Sequence, residues 1–264
     1  MRPVEELARD IVRAEELGYD SVWLADHIFL ERYGRRTTCH DPMVVLGYAA
    51  ARTSRIHLGT LVLGGPFRPV WQMAREAAAL ADASQGRHLL GIGAGWHQPE
   101  FDAFSIPFDH LVGRLEEQVP VLRDLLEGRR VTHDGRYLHL RDAEIISTAQ
   151  RPPIWIAGRG PRMLRLVAGC ADGWNIAWGG ADPAWVKGPL EALRRELDAR
   201  DRDRASVTIS AGVNIEPGTP PSEIASLARA YEAIGVDVLI MWFAAYAGGP
   251  VDPDGIERGA AAFS

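Results

Sequence analysis

Short apolar, β-rich runs alternate with longer amphipathic ones along all 264 residues, with no Ser-, Pro- or Gly-rich linker and no change of composition between them. Strands are predicted over Ser21 to Ala25, Ile56 to Leu63, His88 to Gly93, Pro153 to Ala157, Gly173 to Ala177, Val207 to Ile215 and Asp237 to Trp242. These runs are apolar almost throughout, as in Leu61-Val62-Leu63, Ile154-Trp155-Ile156 and Leu239-Ile240-Met241. Parallel strands covered by helices read this way, whereas a sandwich would alternate more cleanly. Helices are predicted over Pro3 to Leu17, Pro42 to Thr53, Pro69 to Ser84, His110 to Glu127, Pro161 to Cys170, Pro183 to Arg200, Ser222 to Ile234 and Pro253 to Phe263. Three of them start at Asp-Pro pairs, Asp41-Pro42, Asp182-Pro183 and Asp252-Pro253, where Asp caps free amides and Pro fits the first turn. In the first helix Val4, Leu7, Ala8, Ile11 and Val12 share one face, and Glu5, Arg9 and Arg13 take the other.

One unit repeats: Glu16-Leu17-Gly18-Tyr19-Asp20 leads into the first strand as Ala233-Ile234-Gly235-Val236-Asp237 leads into the last, each a helix stopped by Gly. Seven or eight such units in about 250 residues fit a (β/α)8 barrel, since a doubly wound sheet usually stops near five or six strands. The chain opens on a helix. The expected architecture is therefore α/β, a TIM barrel without its first strand, in one domain over residues 1–264 with an insertion near 97–152. Within that insertion Asp134-Gly135-Arg136 reads as a hairpin turn between Val131-Thr132 and Tyr137-Leu138.

The 29 Lys and Arg against 35 Asp and Glu leave a net charge of −6, the wrong sign for affinity to a phosphate backbone, so no nucleic-acid partner is expected. Cys39 and Cys170 lack metal-ligand or C-x-x-C spacing and suit reduced thiols. The N-terminus carries Glu5 and Glu6 where a signal peptide needs an apolar run. The longest apolar stretch, Val238 to Ala247, is about half of the ~20 residues a bilayer demands. A cytoplasmic protein with a small-molecule substrate and no membrane partner is expected; the sequence leaves room for a homodimer.

In such barrels chemistry sits at the C-terminal ends of the strands. The first predicted strand is followed by Asp26-His27, and a His there either moves a proton near neutral pH or holds the following loop. Gly59-Thr60-Leu61-Val62-Leu63-Gly64-Gly65 and Gly91-Ile92-Gly93-Ala94-Gly95-Trp96-His97 place glycines where a backbone turns or a flat ligand comes close. Ile156-Ala157-Gly158-Arg159-Gly160-Pro161-Arg162 joins a strand, a Gly turn and a helix start: a phosphate site, or a plain turn with surface arginines. Asn175, after Ala171-Asp172-Gly173-Trp174, either reads a polar ligand edge or satisfies backbone groups. Trp23, Trp96, Trp155, Trp174, Trp178 and Trp242 lie in or just after strands, where each fills the core or, several together, lines an aromatic pocket for a planar cofactor. His97 and Glu100 fit one helical face but lack a third ligand, so no metal is expected, and there is no G-x-S-x-G elbow.

Taken together, Glu15 to His27, Thr53-Ser54-Arg55-Ile56-His57-Leu58-Gly59-Thr60, Gly91-Ile92-Gly93-Ala94-Gly95-Trp96 and Ala171-Asp172-Gly173-Trp174-Asn175 resemble the bacterial luciferase-like monooxygenase superfamily. Gly93 to His97 with Ile106-Pro107-Phe108 and Asp134-Gly135-Arg136-Tyr137 is similar to its deazaflavin-dependent oxidoreductase branch. The resemblance implies a (β/α)8 barrel holding coenzyme F-420, or alternatively FMN, at the strand ends. It places His27 beside the reactive carbon, with Asp26 as its neighbour. Leu61-Val62, following Thr60, match a non-prolyl cis peptide under one ring face; Gly93, Ala94 and Gly95 lie beside the ring, next to Trp96; Gly158, Arg159 and Gly160 match the phosphate loop, and Trp174 and Asn175 complete the cofactor-binding set. Trp96 stands where the superfamily's sugar-phosphate dehydrogenases carry a Glu, which argues against that substrate. The implied activity is hydride transfer between F-420 and an apolar organic molecule, with His27 as proton donor or orienter. An FMN-dependent monooxygenase and a non-catalytic flavin-binding protein are the alternatives.

Overall fold

The structure, a computed structural model, describes residues 2–32, 35–147, 150–179, 182–243 and 252–264. The last four residues of the apolar stretch Val238 to Ala247, residues 244–247, lie outside the described residues. The chain divides into two compact units, residues 1–15 with 20–155 and residues 16–19 with 156–264.

The first unit opens on α1 (Val4–Glu16), whose Ala8, Ile11 and Ala14 are buried while Glu5, Arg9 and Arg13 face water, as the periodicity requires. Among the described residues no strand precedes it. Strands β1 (Ser21–Leu24), β4 (His57–Thr60) and β6 (His88–Gly93) are parallel neighbours in that order. The predicted run from Ile56 to Leu63 is interrupted: its second half is the two-residue β5 (Leu63–Gly64), which pairs β6 on its own, and the Leu61–Val62 peptide between the pieces is cis. Helices α2 (Pro42–Ala50), α3 (Val70–Ala83) and α5 (Leu111–Leu126) bury Leu46, Met73, Leu115 and Leu122 in the same core as Leu58, Leu63, Leu90 and Ile92. Asp41 caps α2 as expected, accepting from the Met43 and Val44 amides.

One hairpin and one short helix went unpredicted. The hairpin β2 (Phe29–Arg32) and β3 (Arg35–Thr38) mixes charge and apolar side chains without a stable period, and α4 (Gln98–Ala103) spans too few residues for a helical stripe. The hairpin β7 (Val131–Asp134) and β8 (His139–Ala143) sits where predicted, its second strand starting two residues later than Tyr137.

The loop that carries the chain from α2 into β4 is held from both sides. Glu15 accepts the amides of Ser54, Arg55 and Ile56. Burial pushes its carboxyl up, but these bonds outweigh it and hold it down at about 2. Arg87 donates to the Ala50, Thr53 and Ile56 carbonyls and to Thr53 Oγ1.

In the second unit β9 (Ile154–Ala157), whose last two residues belong here, is followed in order by β10 (Gly173–Gly179), β11 (Thr208–Ile215) and β12 (Val238–Phe243). The β10–β11 and β11–β12 pairs are parallel. Helices α6 (Pro161–Cys170), α7 (Ala184–Asp198) and α8 (Pro221–Glu232) bury Leu164, Val167, Leu193, Ile224 and Tyr231. The predicted echo is real at its glycines: Gly18 and Gly235 have φ of 87° and 92°, the left-handed turn that ends a helix ahead of a strand. Asp182 accepts the Ala184 amide at the start of α7. The third Asp-Pro pair behaves differently, because Asp252 pairs with Arg258 and accepts the Asp254 amide, so that α9 (Gly255–Ala261) starts two residues after Pro253.

Candidate active site

His27 follows β1 by three residues and is mostly buried. Its Nδ1 lies 2.8 Å from Oε2 of Glu100, which is 1% exposed on α4. The Oε1 atom of Glu100 accepts the amides of Ile28 at 2.5 Å and Phe29 at 3.1 Å. A carboxylate receiving two amides takes its remaining bond from a ring N–H, which places the proton of neutral His27 on Nδ1. Nε2 is then the atom with capacity to take or give a proton. The Trp96 ring, 62% exposed, stands edge-on to His27 at 5.6 Å.

The sequence paired His27 with Asp26 and read Glu100 only as half of an incomplete metal site. The geometry turns Asp26 away from the ring and gives Glu100 that place. Among the described residues no group of His, Cys, Asp or Glu could hold a metal ion. Asp26 is buried, accepts the Gly64 amide at 3.0 Å and pairs with Arg68. Arg68, buried too, also meets Asp41, and Glu76 at 3.1 Å. Burial pulls the guanidinium pKa down, but Asp26 and Asp41 outweigh it and raise it above the usual arginine value. Asp26 therefore anchors the loop before His27, and the carboxylate that touches the ring is Glu100. The signal for Glu100 was an acid beside an apolar Phe101 just past a Gly-rich strand end, but a helix of six residues has no stripe to mark its inner face.

The glycine-rich ends serve first to let the chain pack. Thr60 is fully buried, and its hydroxyl both donates to the Gly91 carbonyl and accepts the Gly91 amide, joining β4 to β6. It has no surface to offer a ligand, which corrects its assignment to the cofactor. Leu61 and Val62 are half-buried behind it. Gly93 ends β6, and Ala94 and Gly95 turn toward Trp96, with the Phe101 ring lying where a side chain on Gly95 would be.

In the second unit Gly160 opens α6 without a side-chain cap, and nothing stands within 4 Å of where its Cβ would be. Pro161 has no amide N–H, so the donors of the first turn begin at Arg162. Arg159 is exposed. Trp174 and Asn175 prove to be the scaffold of this turn. Trp174 is fully buried and donates from Nε1 to the Gly158 carbonyl at 2.7 Å. Asn175, 2% exposed, donates to Ser210 Oγ at 3.0 Å and accepts the Gly158 amide on its backbone carbonyl. Of the open alternatives for Asn175, the structural one is the one with its bonds in place, and the expected cofactor contacts of both side chains are corrected accordingly.

Parallel strands in chain order, alternating with helices and carrying polar groups just past their ends, define an α/β protein of the TIM-barrel kind. A solved structure of an F420-dependent secondary alcohol dehydrogenase in complex with an F420-acetone adduct has that same fold, with a TM-score of 0.86 at 16% identity over 99% of this chain and 94% of the other. The chain belongs to the luciferase-like monooxygenase family, whose pattern matches residues 2–252. Among curated relatives, an F420-dependent glucose-6-phosphate dehydrogenase of Kineococcus radiotolerans is 32% identical over 83% of this chain and 66% of that protein. A 5,10-methylenetetrahydromethanopterin reductase of Methanolobus tindarius is 33% identical over 65% of this chain and 49% of that protein. The chain thus spans about half to two thirds of the length of these relatives. No helix among the described residues is long and apolar enough to cross a membrane.

Proposed function

We propose that this chain is an oxidoreductase of the cytoplasm that transfers a hydride between the deazaflavin coenzyme F-420 and an apolar organic substrate. The observation that carries the reading is the His27–Glu100 pair, a buried carboxylate fixing one ring nitrogen so that the other serves the reaction. The naming of the relatives as F420-dependent enzymes supports the choice of coenzyme. The residues present fit a phosphate-bearing group: an uncapped helix start, no Cβ at Gly160 and an exposed guanidinium on Arg159 support an anion at this turn. When bound, the coenzyme supplies the carbon that donates or accepts the hydride.

The chain's own residues do the rest. His27 Nε2 gives a proton to the substrate oxygen in reduction or takes it in oxidation. Glu100 keeps Nδ1–H in place and stabilises the ring while it is cationic, so the proton always moves through Nε2. Ile28 and Phe29 hold Glu100 in turn through their amides. Trp96 gives His27 an aromatic edge and no charge, in keeping with an apolar substrate.

A homodimer suits the surface of the first unit. Helix α2 has no charged residue, yet Val44 and Tyr48, four apart on it, are 67% and 45% exposed, and Trp71 on the adjoining α3 is 47% exposed. A net charge of −6 supports a small-molecule partner over nucleic acid.

Titrating the protein with F-420 and with FMN, by quenching of cofactor fluorescence, followed by substrate-dependent bleaching of F-420, tests the reading. Binding of F-420 with turnover is the expected result. Preference for FMN with oxygen consumption would make the protein a monooxygenase, and binding without turnover a flavin carrier.

A further inference from the structure

Strand β11 has two different faces. Ile209, Ala211, Val213 and Ile215 point one way, and all are buried apolar side chains. Ser210, Gly212 and Asn214 point the other way, small or polar throughout. The register places Trp178 of β10 beside Gly212 and Trp242 of β12 beside Asn214, so both indoles stand on this second face. Gly212 is what admits the first: a Cβ there would lie 2.5 Å from the Trp178 ring. The two rings meet edge to face, with centroids 6.0 Å apart and planes at 83°.

These indoles are not ordinary core. Trp178 and Trp242 are 41% and 47% exposed, each one residue from the C-terminal end of its strand. Their neighbour Trp185 shows the contrast, since its ring lies over Gly179 and its Nε1 donates to Tyr231 Oη at 2.9 Å. The Trp178, Trp242 and Asn214 side chains make no hydrogen bond among the described residues. The face thus shows two ring surfaces, two indole donors and one amide. The residues that build it, Asn175, Trp178, Ser210, Gly212, Asn214, Val238, Ile240 and Trp242, carry no charge.

From this composition we infer a binding site for an uncharged, ring-bearing organic molecule that has a carbonyl or hydroxyl oxygen. A flat ring fills the right angle between the indoles, covering apolar surface that strand ends otherwise leave in water. Indole N–H only donates, so the polar group it meets on the ligand is an acceptor, and the Asn214 amide completes the bond in either sense. A phosphate ester or carboxylate would lose its hydration here with no cation to replace it. The inference stands on one face of one unit and does not depend on the redox reading above.

The test uses the full chain without cofactor and the uncharged bicyclic ketone 1-tetralone, followed by quenching of tryptophan fluorescence and by calorimetry. Saturable binding is expected. Trp178→Leu and Trp242→Leu should each weaken it about tenfold, Trp178→Phe and Trp242→Phe less, and Trp71→Leu not at all. Wild type should prefer 1-tetralone to tetralin, which lacks the oxygen, and Asn214→Ala should narrow that preference. The phenylalanine variants keep the inference testable where a leucine variant fails to fold. Absence of saturable binding, equal affinity in all variants, or displacement by glucose 6-phosphate would overturn it. Displacement by riboflavin would overturn it too, by giving the face to a flavin ring.

Discussion

His27 and Glu100, 73 positions apart in sequence, are joined through Nδ1 and Oε2 at 2.8 Å, in a pair whose carboxylate has almost no contact with water. Replacing either residue should therefore reach turnover before it reaches cofactor affinity. His27→Ala should lower turnover by ~10²- to 10⁴-fold, the usual worth of a positioned acid or base. Glu100→Gln should lower it less, since an amide no longer dictates which nitrogen holds the proton. Cofactor titration alongside steady-state rates separates the two effects; unchanged turnover in His27→Ala would reduce the residue to a loop-holding role.

Arg159→Ala should weaken binding of phosphorylated cofactor by ~10- to 100-fold, the loss of one charge-assisted bond. Riboflavin against FMN, and the deazaflavin core against full F-420, in wild type and variant close a double-mutant cycle. Equal phosphate discrimination in both proteins would move the contact to another residue, with Arg162 the first to examine.

The His88 imidazole should make the fold sensitive to mild acid. Burial pushes its pKa down to about 4, against the pull of its bond to the Leu58 carbonyl. Its unfolded value is about 6.5. The unfolded chain thus binds the extra proton first, so the stability His88 contributes is complete above about pH 6.5 and is lost as pH falls toward 4, by up to about 3 kcal/mol. Urea midpoints at pH 7.5 and 5 should differ less in His88→Asn than in wild type. The Glu15 carboxyl, held at about 2 against an ordinary 4.5, contributes stability that is lost only as pH falls below about 4.5, beneath both of the pH values compared.

Arg68→Met should cost about 3–5 kcal/mol, because it strands Asp26 without a cation in a buried place. Urea denaturation gives the number. Arg68→Met combined with Asp26→Asn should recover part of the loss, and a double variant no more stable than the single one would show that the pair is not coupled.

What could be read from the sequence was whatever repeats. The strands from His88 to Gly93 and the helix from Pro161 to Cys170 match the structure residue for residue, because a buried parallel strand and an amphipathic helix each impose a period. His27 stood out as a titratable group at a strand end. Its partner did not, since what brings Glu100 to it is a tertiary approach of α4 to the loop after β1, and such an approach leaves no local pattern. Thr60 closes β4, while Trp174 and Asn175 lie at the start of β10, and sequence gives position along a strand but not which way a side chain's bonds run. Asp26 misled for the same reason: adjacency to His27 in the chain put it in the pair, while its carboxylate turns to Arg68.

The loop from Thr53 to Ile56 carries exposed residues, yet Glu15 holds three of its amides and Arg87 four acceptors around it. Surface loops normally exchange their amide hydrogens quickly and are where proteases enter. This one should do neither: its amides at Ser54, Arg55 and Ile56 open only when α1 lifts from it, so a nick there reports the undocking of α1 and not the fraying of a turn.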